Sequence, residues 1–436
     1  MRGEEGSRKI KGWMTVLLLT AAVWGGMLGS FWTGNLTVYG FSFSGELFSD
    51  AMDIDPEWAF DHNSQISAAA PEDSLDKAME QLGIFGEMEE LQRFLDRVLG
   101  DIKDSGERIS FWGIMKEFIR GDLAGALSQA GQALYGILFS EVKTGSRMLY
   151  QTVALGLAGA IFANLSSVFK GGQVSDTGFF VTYLLMFTCL AASFSSSLRI
   201  ASEALGQILE FMRLLMPAYY MAVAFSGGSM SALALHECML GAVTGVQWLC
   251  HSFLLPLTRV YVMTVLGSLA VKEDPLSRLS GLIEQAVTWS FKTLIGVVVG
   301  FHMIQGLVLP YADGAGSAGF KRLLELIPGL GQGAGAVAQM VLGSGVLIKN
   351  TMGAAAVVVL ALITAAPLLK LAVLMVFYQL AAAVMEPVCA KQAVKAVEGA
   401  AKGHRLLIRL VLGSMFLFIV CIAITCSFTN VNYFAS

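Results

Sequence analysis

The sequence predicts an all-α, polytopic membrane protein with an internal two-fold repeat and an exported N-terminal segment of amphipathic helices. Three observations carry that prediction. Hydrophobic residues make up 55% of the chain and charged residues only 14%, with a mean hydropathy of +0.65, whereas a soluble domain carries about 25% charged residues. Apolar runs near or above the roughly 20 residues that cross a bilayer recur at 149–169, 179–198, 232–271, 291–309, 354–385 and 406–428. Six prolines of the membrane part pair at nearly one separation: Pro217 with Pro328 and Pro256 with Pro367 lie 111 residues apart, and Pro275 with Pro387 lies 112 apart.

Residues 1–30 read as a signal peptide or signal anchor, because Arg8, Lys9 and Lys11 precede the apolar run 13–28. Gly25, Gly29 and Ser30 offer small residues for cleavage without a clean A-x-A triplet. Either way the basic start stays cytoplasmic and residues 31–148 are expected to be exported. That stretch holds the acidity of the chain: residues 31–150 carry 20 acidic against 9 basic residues, a net of −11.

Within it, 41–71 is rich in Ser, Asp, Gly and Ala and reads as a linker. From Asp76, Met79, Leu82, Phe85, Met88, Leu91, Leu95, Val98 and Ile102 recur at helical spacing, with Glu89, Glu90 and Asp96 between them. A second amphipathic helix is expected from Ser110, with Phe111, Trp112, Ile114, Met115, Phe118 and Ile119, and a third over 123–139. Helices of this kind pack on one another, lie along the membrane surface or bind a partner, and the pattern alone leaves all three open.

The membrane part divides into a first spanning helix and loop at 149–179, one repeat at 180–290, a second at 291–401, and a final span and tail at 402–436. Each repeat has the same order: a spanning helix, an amphipathic stretch, a Pro-led Gly-rich segment, about 40 apolar residues interrupted by Pro and a cation, and a closing amphipathic helix. The flanks of the prolines agree without gaps, since Arg213-Leu214-Leu215-Met216-Pro217 lies over Leu324-Glu325-Leu326-Ile327-Pro328. Pro256-Leu257-Thr258-Arg259 likewise lies over Pro367-Leu368-Leu369-Lys370.

Paired Gly- or Pro-interrupted segments in a duplicated bundle are the best sequence pointer to a transport pathway. Here they are 217–231 and 328–345, which contain Pro217, Gly227, Gly228, Pro328, Gly331, Gly333 and Gly335. Such segments line a cavity, or they let helices approach closely through small residues. Ionisable residues in spans are costly, so each needs a reason. Arg259 and Lys370 occupy equivalent positions: if each long run is a hairpin, both snorkel at a turn, and otherwise they form a pair facing a polar pathway. His236 and Glu237, with Lys349 and Asn350 in nearly equivalent places after the Gly-rich segments, are candidates for a polar cluster between the units. Glu386 precedes Pro387 as Asp274 precedes Pro275. His302 and Gln305, one turn apart, read as an interhelical hydrogen-bonding pair.

Enzyme signatures fail on inspection. His236-Glu237 opens like a zincin motif, but position 240 is Leu, so the second His is missing. There is no GxxxxGK[ST] phosphate loop, and Gly343-Ser344-Gly345 is ordinary in Gly-rich sequence. The six cysteines, Cys189, Cys238, Cys250, Cys389, Cys421 and Cys426, all lie in the membrane part without CxxC spacing, which favours small apolar residues over metal or redox work. No catalytic group, metal or cofactor is expected.

The chain resembles stage III sporulation protein AE of endospore-forming Firmicutes. The resemblance is carried by Phe111-Trp112 with Ile119-Arg120-Gly121-Asp122, by Gly227-Gly228-Ser229-Met230-Ser231-Ala232 followed by His236, and by Ile327-Pro328-Gly329-Leu330-Gly331. Leu347-Ile348-Lys349-Asn350-Thr351-Met352-Gly353, Ala366-Pro367-Leu368-Leu369-Lys370, and Leu380-Ala381-Ala382-Ala383 with Glu386-Pro387 complete it. The resemblance implies a permease-like membrane subunit of the channel between mother cell and forespore, in the mother-cell-derived membrane around the forespore. It implies as partners the other proteins of the same operon, an ATPase, ring-forming proteins and small membrane subunits, together with a forespore-side channel protein and the lipid bilayer, and no nucleic acid. The longer acidic segment before Trp112 departs from the family pattern. A stand-alone secondary transporter of a small solute is the alternative reading.

Overall fold

The computed structural model describes residues 84–99, 110–120, 142–143, 146–147, 149–161, 172–226, 229–268, 276–325 and 331–428. The expected signal (1–30), linker (41–71) and third amphipathic helix (123–139) lie outside the described residues, as do Gly227, Gly228, Pro275 and Pro328. The described residues are helical, with no strand among them.

Two short amphipathic helices come first, α1 (Ile84–Val98) and α2 (Phe111–Arg120). On α1 the apolar positions Met88, Leu91, Phe94 and Leu95 are buried while Glu89, Glu90 and Asp96 stay exposed, as the periodicity predicts. Ser110 starts α2, its hydroxyl accepting from the Gly113 N–H at 3.3 Å as an N-cap does. The Phe111 N–H donates to Gln92 Oε1 at 2.9 Å and ties the two helices together. Of the three uses the sequence left open, the structure shows packing: α1 lies on α4 and α2 on α8, defined below.

The membrane part follows as α3 (Leu149–Ile161), α4 (Gly172–Phe225), α5 (Ser229–Leu249), a π-helical turn (Cys250–Leu254), α6 (Leu255–Ser268), α7 (Ser277–Glu325), α8 (Gly331–Met385) and α9 (Lys391–Phe428). Among the described residues, five stretches are long and apolar enough to cross a membrane: Phe180–Phe225, Ala232–Gly267, Arg278–Gln305, Gly345–Met385 and Lys391–Ser427. The described part of the first expected span is only the short apolar helix α3. It lies close to its neighbours because Gly156 faces Met385 and Gly159 faces Thr182, where a Cβ would crowd them.

Several expectations need correction. The long apolar runs are not hairpins, since α8 is one helix of 55 residues with Pro367 inside it, and the π-helical turn joins α5 to α6 without a reversal. The amphipathic stretch expected to close each repeat and the span expected to open the next are single helices, α7 and α9. The Gly-rich segments are helical where described: Pro217 sits inside α4, and Gly331, Gly333 and Gly335 lie in the first turns of α8. A helix interior tolerates proline when the carbonyls it frees find other donors. Ahead of Pro256 the backbone widens into the π turn, where the Leu255 N–H donates to Cys250 O.

Contacts between the helices fix their directions. Ser193 of α4 meets Tyr378 of α8, and Phe225 of α4 meets Gly345, so α4 and α8 run antiparallel. Ser197 pairs with His404 and Tyr219 with Cys426, both 207 residues apart, so α4 and α9 run parallel in one constant register. Gly399 and Gly403 of α9 face Val265 and Val262, which turns α6 against α9, and Gly413 faces Phe291 and Ile295 of α7. The bundle therefore alternates: α4 up, α5 and α6 down, α7 up, α8 down, α9 up. Arg259 and Lys370 consequently stand on helices that point the same way.

The centre of the bundle is α9, which packs against α4, α6, α7 and α8. Its most apolar window is 61% buried, against 22–39% for the other four. Glycine makes this possible at Gly403, where a Cβ would collide with Val262 and Phe194, and at Gly413, where it would collide with Phe291.

Candidate functional site

The two Gly-rich segments meet. Gly345, at the end of the second, lies so close to the first that a Cβ would stand 2.8 Å from the Phe225 carbonyl and the Ser226 nitrogen. Two turns along α8, a Cβ on Gly353 would stand 2.7 Å from Cys426 Sγ and 3.6 Å from the Tyr219 ring. At these two points the small residues serve close packing rather than a lined cavity, the second of the two uses the sequence allowed.

Beside that contact the four elements α4, α5, α8 and α9 contribute a polar layer. Lys349 of α8 is fully buried and lies near Cys426 of α9. Tyr219 Oη and Cys426 Sγ are 3.0 Å apart. Tyr219 also meets Tyr220 edge-on at 5.4 Å between ring centroids, and Tyr220 meets the half-buried His236 of α5 in the same way at 5.8 Å. His236 Nδ1 lies 3.9 Å from the exposed carboxylate of Glu237. The layer thus runs from a surface carboxylate, through a histidine and two tyrosines, to a buried ammonium group. Removing such a cation from water is costly, so the fold spends free energy to keep Lys349 where it is.

Of the sequence candidates, the structure brings Pro217, His236, Glu237, Lys349 and the half-buried Asn350 to this region. Arg259 and Lys370 stand elsewhere. Arg259 is exposed on α6 and Lys370 half-buried on α8, both near the level of Ser197 and His404. Glu386 is exposed in the turn after α8, at the opposite end of that helix from Lys349. His302 and Gln305 do not form the expected interhelical pair: His302 Nδ1 lies 3.1 Å from Val298 O of its own helix, and neither His302 Nε2 nor Gln305 Oε1 has a partner. Among the described residues no group of three or more His, Cys, Asp or Glu could hold a metal ion.

A second polar layer escaped the sequence reading. Tyr378 of α8 donates to Ser193 Oγ of α4 at 2.5 Å, and Ser197 Oγ lies 2.8 Å from His404 Nε2 of α9. His404 Nδ1 is 2.8 Å from Ala400 O, and a carbonyl only accepts, so Nδ1 carries the proton; Nε2 faces Ser197 Oγ, which also lies 3.2 Å from Ser193 O of its own helix. Phe194 and Tyr378 close over the imidazole, with ring centroids 5.5 and 5.1 Å away. Tyr219 and Cys426 had no signal as individual residues; only the constant offset of 207 between α4 and α9, invisible in one sequence, marks them.

The family model described as stage III sporulation protein AE matches residues 109–429. A curated relative, stage III sporulation protein AE of Bacillus subtilis (strain 168), is 26% identical over 276 residues, covering 63% of this chain and 69% of that protein. No solved structure matches. The matched residues include α2 to α9 and leave α1 outside.

Proposed function

The chain belongs to the stage III sporulation protein AE family, and from that premise we propose that it is a membrane subunit, conduit or scaffold, of the channel linking mother cell and forespore. It would sit in the mother-cell-derived membrane around the forespore and support development after engulfment. Its partners would be an ATPase, ring-forming proteins and small membrane subunits of the same operon, with a forespore-side channel protein across the intermembrane space. Residues 1–30 would direct insertion, and the acidic segment that follows would face that space.

The observation that carries the reading is the family match across nearly all of a bundle whose described residues include five membrane-length helices. The alternating helix directions support a parallel form of the internal repeat, in which 180–290 and 291–401 each contribute an up and a down element. In this reading the contact of the two Gly-rich segments, with Lys349, His236 and Tyr219 around it, is the site that matters. Gly345 and Gly353 hold it closed, which favours a bundle that works as one wall of a larger assembly over one that carries solute through its own core.

In-cell crosslinking during engulfment, followed by purification of the full chain and identification of what is bound, tests this. Recovery with an ATPase and ring-forming proteins is expected, and the purified chain alone in liposomes should pass no solute. Recovery as a lone protein, or transport by the chain by itself, would contradict the proposal.

A further inference from the structure

The lateral surface of the bundle carries two unlike faces at one height. On one side, α4 exposes Arg199 and Glu203, which lie 3.8 Å apart with side chains 74% and 64% exposed. Glu210 follows on the same helix, 3.8 Å from Arg97 of α1, and α1 adds its own exposed pair of Arg93 and Glu89. Arg213 of α4 donates to Gln247 of α5 at 2.6 Å.

On the other side the same heights are mostly apolar, and the exposed Arg259 of α6 and Lys292 of α7 stand near the levels of Arg199 and Glu203, where a long cationic side chain can snorkel. Since α9 residues lie level with α4 residues 207 lower, Gly413 of α9 is level with position 206 of α4, and Gly413 packs on Phe291 and Ile295 of α7. Trp289 and Val297 of α7, flanking that contact, are therefore level with Glu203 and Glu210. They are 68% and 64% exposed. Trp248, next to Gln247 and so level with Arg213, is 66% exposed.

One bilayer cannot suit both faces. A large apolar side chain belongs against lipid at this depth, whereas Arg, Glu and Asp side chains facing hydrocarbon are expensive and are found instead on cavities or interiors. We propose that the α1–α4 face borders a water-filled recess at membrane depth, and that the face of α5, α6 and α7 is the lipid contact. Water is favoured over a covering protein because Arg199 with Glu203, Glu210 with Arg97, and Arg93 with Glu89 are paired within the chain and half to three-quarters exposed. The occupants of the recess are water and hydrated, charged solutes. The inference rests on surface chemistry and is independent of the channel assignment.

Single cysteines placed by Glu203→Cys, Glu210→Cys, Trp289→Cys and Val297→Cys in the full chain, in membranes, are probed with a charged, membrane-impermeant maleimide on opened vesicles. Labelling is scored above that of the unsubstituted chain, which retains its native cysteines. Positions 203 and 210 should label and positions 289 and 297 should not. Spin labels at the same four positions give a second readout: the first two should be accessible to a water-soluble nickel chelate and the last two to dissolved oxygen. Protection of all four would mean that lipid or protein covers the charged face, and labelling of all four would mean that this whole level lies outside the bilayer. Either result overturns the proposal.

Discussion

Two buried polar layers cross the same three helices, and they are built on opposite terms. Ser197 and His404 lie 22 residues before Tyr219 and Cys426 on α4 and α9, a separation of about 33 Å, close to one hydrocarbon thickness. The first layer is neutral and satisfied: each of Ser193, Ser197, Tyr378 and His404 has a hydrogen-bond partner within the bundle. The second holds a buried ammonium group beside a thiol, two tyrosines and a histidine that reaches the surface. A satisfied neutral network specifies how helices meet, and can do so without any further role. A buried cation gives the fold little that a methionine would not, so its presence points to function.

Breaking the contact that separates these roles should have the largest effect on stability. Gly345→Val places side-chain atoms against the backbone of Phe225 and Ser226, which cannot rotate away, and should cost about 3 kcal/mol as overpacking does. Titration of the purified protein with denaturing detergent would show it as an early loss of helix contacts. Next comes His404→Leu, which keeps the volume and removes the interhelical bond to Ser197, whose hydroxyl retains Ser193 O of its own helix; a loss of about 1 kcal/mol is expected in the same titration. Tyr378→Phe keeps the ring packed on His404 and removes one interhelical bond, so its cost should be only about 0.6 kcal/mol. For both changes spore formation should persist wherever the protein persists, which is how a structural clasp behaves.

Much of this architecture was legible in the sequence, for reasons that differ by element. Composition and apolar runs gave the helical membrane class, and period-3.6 patterning placed α1 and α2, because burial of one face is a local signature. Length was harder. An apolar run followed by an amphipathic stretch reads as two elements, yet α4, α7 and α9 continue through the change, since nothing in Arg199 or Lys402 breaks a helix. The prolines misled in a related way: Pro217 and Pro367 looked like boundaries and are interior to α4 and α8. At the site, Lys349 and His236 stood out as polar residues in apolar surroundings. Tyr219, Cys426 and the whole Ser197–His404 clasp did not, because tyrosine, serine and cysteine are unremarkable in a membrane helix until a second helix sets them face to face.

The division between clasp and site is tested most directly by Lys349→Met, which removes the charge while keeping the length of the side chain. The measurement is heat-resistant spore yield in a strain whose own copy is deleted, set against the amount of variant protein in the membrane. The account predicts full protein and a collapse of spore formation. Full protein with normal spore yield would show that the buried cation is dispensable and that the two layers do the same work.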